Sequence, residues 1–158
     1  MFSRVLNAQM MHGFRAGVVG AAAAIGALLS FGLREGMPAR PFNAVAAIVA
    51  GDAARNVWGF DPRVTVIGVV LLLTGCVLAS LVLSVAVDAL TARARRPRIG
   101  LATFILALPA GLIGVALVAR HAPEFIGLEP GGAMTITQAV VVTILISAGF
   151  ASGMRLAR

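Results

Sequence analysis

Few side chains in this sequence are of types that do chemistry, and their spacing brings almost none of them together. There are six acids (Glu35, Asp52, Asp61, Asp88, Glu124 and Glu129), two histidines and one cysteine. An interfacial enzyme acting on lipid would need a carboxylate such as Asp52 or Asp61 poised beside a second positioned group. The sequence supplies no such group next to either. Asp52 instead has Arg55 and Asn56 three and four residues on, within reach on one helix face. Haem held between helices takes axial histidines from within them. His12 and His121 lie outside the long apolar runs and on opposite sides of the expected bundle. Cys76 is single, so neither an intrachain disulfide nor a multi-cysteine metal site can form. Set mid-run, it reads as a small buried hydrophobe. Neither a phosphate-binding glycine loop nor a Gly-x-Ser-x-Gly elbow occurs. Catalytic residues, a cofactor and a metal are therefore not expected, and the chain reads as a non-enzyme.

One group is dense. Arg93, Arg95, Arg96 and Arg98 stand within six residues. Such a cluster can hold anionic lipid headgroups at about 1 kcal/mol per arginine. It equally fixes the orientation of a membrane chain without any binding role. A net charge of +7 invites a nucleic-acid reading. The arginines sit at the ends of apolar runs, however, so membrane topology accounts for them and no nucleic-acid partner is expected.

The elements that must carry these residues follow from composition. Of 158 residues, 59% are hydrophobic and only 12% charged, and the mean hydropathy is +0.98. A soluble domain carries about a quarter charged residues. Four uncharged runs stand out, at about 16–33, 64–87, 99–119 and 133–154. Each is close to or above the roughly 20 residues that span a bilayer as helix. Continuous apolarity rather than alternation argues against barrel strands. The basic head before the first run resembles a secretory signal. That run is 18 residues long, beyond the about 7–15 typical of such signals, and Met37-Pro38-Ala39 is a poor cleavage site. The fold expected is all-α: a single membrane domain over 1–158 with four transmembrane helices.

Between the first two spans, 42–51 is nearly apolar but too short to cross. Pro41 suits a first helical turn. A short helix lying on the outer interface, or dipping into it, is expected, with Trp58 and Phe60 at headgroup level. Asp61 and Pro62 then read as N-cap and first-turn residues of the second span. Pro109 should kink the third span. Gln138, near the outer end of the fourth, could bond to a neighbouring helix or a solute.

With the N-terminus inside, the inner face holds Arg4, Arg15, Arg93, Arg95, Arg96, Arg98, Arg155 and Arg158. The outer face holds Arg34, Arg40, Arg55, Arg63 and Arg120. Basic residues favour the cytoplasmic side, so both termini are expected there. Lipid tails give helices no hydrophobic reason to associate, and small residues that let backbones approach take that part. Gly13 and Gly17 on the first helix, Gly68 and Gly75 on the second, and Gly149 and Gly153 on the fourth are the expected packing residues.

Pro41-Phe42-Asn43-Ala44, Gly51-Asp52-Ala53-Ala54 and Phe60-Asp61-Pro62, with Thr65 and Gly68, resemble uncharacterised bacterial four-helix inner-membrane proteins of the YagU-like group. The resemblance covers the first loop and the start of the second helix. It implies an inner-membrane location and no mechanism. The function expected is non-catalytic: an accessory or structural subunit whose partners are membrane lipids and other membrane subunits, or further copies of itself. The alternative is a small-solute transporter or channel acting as an oligomer.

Overall fold

The computed structural model describes residues 2–92, 99–125 and 134–156. They form six α-helices: α1 (Phe2–Arg34), α2 (Arg40–Ala50), α3 (Asp52–Arg55), α4 (Pro62–Thr91), α5 (Ile99–His121) and α6 (Ile136–Leu156). A single 3₁₀ turn, Pro123–Phe125, follows α5. α1, α4, α5 and α6 are long and apolar enough to cross a membrane. The architecture is an all-α, multi-pass membrane bundle.

The helices outrun the uncharged stretches that announce them. α1 begins in the head, well before residue 16, because Arg15 bounds the apolar part without breaking the helix. No proline interrupts the segment. α4 has 30 residues, which at a rise of about 1.5 Å each makes it roughly 45 Å long. A hydrocarbon layer is only about 30 Å thick, so its ends reach into the headgroup regions. Its start is fixed chemically: the Asp61 carboxylate accepts from the backbone N–H groups of Arg63 (2.9 Å) and Val64 (3.3 Å), and Pro62 opens the first turn. α6 starts with a reciprocal cap. The Thr135 N–H donates to Gln138 Oε1 at 2.7 Å, and the Gln138 N–H donates to Thr135 Oγ1 at 3.2 Å. This Thr-x-x-Gln arrangement satisfies two otherwise orphaned groups. Gln138 thus serves its own helix end. α5 runs through Pro109, where the missing N–H leaves the Ile105 carbonyl without its helical donor.

α1 is the hub, packed along α4 on one side and α6 on the other, and α6 also packs along α5. The ring is loosest between α4 and α5. Near the end where α1 finishes, α2 lies against α4 and also reaches α5. The short helix expected over 42–51 exists, but it is a buried part of the bundle end: Arg40 through Ala47 are all buried. Its polar residues are buried with partners. The Arg40 guanidinium stacks 3.2 Å from the centre of the Trp58 ring, a cation–π contact. The Asn43 side chain donates to the carbonyls of Val57 (3.0 Å) and Gly59 (2.9 Å) and accepts from Thr65 Oγ1 (2.8 Å). The α2–α4 connection is therefore laced to α2 by one amide. Gly51, at φ +57°, ends α2 in a conformation that suits glycine.

Candidate functional site

The small residues sort into two kinds by what surrounds them. At the α1–α4 seam, a Cβ on Gly13 would lie 3.0 Å from Leu81 Cα, and one on Gly17 would lie 2.6 Å from Val77 Cα. The closeness lets Ser80 Oγ donate to the Gly13 carbonyl at 2.6 Å, one helix bonding the backbone of another. At the α1–α6 seam, a Cβ on Gly149 would come within 2.9 Å of Gly20 Cα, and one on Gly153 within 2.5 Å of Ala16 Cα. Gly68 faces the Phe42 carbonyl of α2 without room for a methyl group. These five of the six expected packing glycines sit where backbones approach.

Gly75 does not. Apart from its chain neighbours and the local backbone of its own helix, nothing lies within 4 Å of where its Cβ would be. It belongs to the wall of a cleft of about 310 Å³ between α4 and α5. Gly75, Cys76 and Ala79 line it from α4, and Ala110, Gly111 and Gly114 from α5. Phe150 and Ile146 of α6 also line it, as do Val45 and Ile48 of α2. Protein interiors have few voids larger than a water molecule, so this space marks where the bundle is built differently. The cause is local. Small side chains on both helices face one another without meeting, so the walls stand apart. Ile113 and Leu117, 61% and 44% exposed, form the outward lip. Since α4 and α5 lie in the spanning part of the chain, that lip opens sideways to lipid.

Two of these wall residues, Gly111 and Gly114, are absent from the sequence-based packing set. The signal was present. Gly100, Thr103, Ala107 and Gly111 recur at spacings of three and four, and they are the buried face of α5. Gly111 packs on Thr143 of α6, and Gly114 continues the stripe into the cleft.

No polar chemistry enters this space. Every lining residue is apolar or is the Cys76 thiol. The buried hydroxyls of the spans lie along helix seams and bond helix carbonyls: Thr103 to Ile99 (2.9 Å), Thr143 to Ala139 (3.0 Å) and Ser147 to Thr143 (2.9 Å). Asp52 is exposed in the first turn of α3, and Asp61 is occupied in capping α4. Asp88, near the end of α4, accepts from Gln9 Nε2 of α1 at 3.0 Å. Among the described residues, no three His, Cys, Asp or Glu side chains come together as a metal site would require. The Arg93, Arg95, Arg96 and Arg98 cluster lies outside the described residues.

What the site can do chemically is accommodate an apolar body from the bilayer side. One cation adjoins the lip itself. Arg120 stands three residues past Leu117 on α5 and is exposed, so it shares that face one turn beyond the lip. Phe125, which lines the cleft, also borders a small polar pocket with Arg40, Asn43 and Arg55. Comparison with known proteins found no matching family, no matching curated protein and no matching solved structure.

Proposed function

We propose that this chain is a non-catalytic protein of the bacterial inner membrane, with both termini cytoplasmic, that serves as an accessory or structural subunit of a membrane complex. The observation that carries this reading is the asymmetry of the bundle. In the most apolar window of α1 and of α6, 44% of residues are buried, against 22% for α4 and 17% for α5. α1 and α6 are spent on internal seams. The α4–α5 side keeps its apolar residues, and glycines with open space over them, for neighbours in the bilayer. Close approach over small residues is how membrane helices associate.

Gentle extraction from native membranes followed by native mass spectrometry tests the proposal. A fixed stoichiometry with other membrane proteins, lost when large side chains are placed on the α4–α5 face, is the expected result. Recovery of the chain alone, combined with solute flux in liposomes, would replace this reading with the transporter.

A further inference from the structure

We infer that the α4–α5 cleft is a binding site for one acyl chain of an anionic phospholipid. The inference stands on the membrane-spanning architecture and not on the identity of any complex partner. Three observations carry it. The first is chemistry: the wall is apolar throughout and opens sideways between Ile113 and Leu117, both well exposed. The second is size. An apolar cavity of about 150 Å³ takes up a benzene ring, so the 310 Å³ of the cleft has room for a longer apolar chain segment. The third is charge. Arg120 follows Leu117 on the same face of α5, placing a cation one turn beyond the apolar lip, where a lipid phosphate would lie.

The driving force differs from that in water. An acyl chain leaving the bilayer for an apolar wall gains nothing from the hydrophobic effect. Selectivity comes from dispersion contacts along a fitted wall and from the phosphate meeting arginine at the surface. Gly75 and Gly114 make the space, since neither has a foreign atom within 4 Å of its Cβ position.

The purified full chain is delipidated and then offered phosphatidylglycerol or phosphatidylcholine with identical acyl chains, and retained lipid is counted by native mass spectrometry. One phosphatidylglycerol per chain is expected, in preference to phosphatidylcholine. Gly75→Leu with Gly114→Leu should abolish retention of both lipids. Gly26→Leu, an equal change at a position on α1 that also faces open space outside the cleft, should leave retention intact. Arg120→Gln should lower the preference for phosphatidylglycerol about fivefold, the equivalent of about 1 kcal/mol. Unchanged retention in the leucine pair would overturn the inference. So would a lipid-free dimer of the chain that the leucine pair dissolves. Equal retention of both lipids, insensitive to Arg120→Gln, would overturn its charged half. Extraction of the unsubstituted chain without any co-purifying protein, but with one lipid retained, would count against the accessory-subunit reading alone.

Discussion

At Gly153 and Gly75 the same substitution meets opposite surroundings. A Cβ on Gly153 would lie 2.5 Å from Ala16 Cα, and a helix backbone cannot step aside as a side chain can. Gly153→Val should force α1 and α6 apart and cost about 1–3 kcal/mol in overpacking. Gly75→Ala meets open space and removes the glycine penalty in a helix, so it should stabilise the chain by up to about 1 kcal/mol. Thermal unfolding midpoints in one detergent would check both. A lowered midpoint for Gly75→Ala would mean that α4 and α5 close over it. Spacing alone marked both glycines as packing residues. It could not separate them, because a stripe of small residues looks the same whether another backbone fills it or a cleft does. The neighbour across the stripe decides, and that neighbour is far away in sequence.

Among the elements, α2 depends most on a single side chain. Asn43 bonds two carbonyls of the connection to α4 and one hydroxyl of α4 itself. Asn43→Leu, close in size, would leave those groups without their partner, at about 1–3 kcal/mol for each group left buried and unpaired. The connection should loosen from α2 as a unit. Trp58 is the only tryptophan and stacks on Arg40, so its fluorescence reports the change directly. A red-shifted emission and easier quenching by iodide are expected in Asn43→Leu. An unchanged spectrum would show that the Arg40–Trp58 stack holds the segment without the amide. Local signals made part of this region legible in advance: Asp61-Pro62 as a helix start, and 42–51 as a helix too short to cross. The burial of α2 was not legible. Arg40 and Asn43 have the composition of a surface helix, and only partners at 57–59 and 65 make their burial affordable. Gln138 is the converse case, a polar residue in an apolar helix whose partner three residues away already spelled a cap.

On the scale of the whole molecule, long uninterrupted apolarity made the four crossing helices legible, because a bilayer sets their minimum length regardless of how they pack. The order of packing around the bundle was not, since apolar residues face lipid and protein alike and give no amphipathic stripe to read. Orientation rests on charge alone. The proposed inner face owes its excess to Arg93, Arg95, Arg96 and Arg98. Without them it keeps Arg4, Arg15, Arg155 and Arg158, against five arginines at the opposite face, Arg34, Arg40, Arg55, Arg63 and Arg120. If that orientation is correct, replacing the four clustered arginines by alanine should remove the bias that favours it. A mixed or inverted population is expected, read by alkaline phosphatase and green fluorescent protein fused in turn to the C-terminus. The unsubstituted chain should give fluorescence and no phosphatase activity. Uniform fluorescence in the alanine variant as well would mean that the first helix sets orientation by itself, through Arg4 and Arg15. The cluster would then be free for a different task, and the anionic surface of the cytoplasmic leaflet is the partner its charge would meet first.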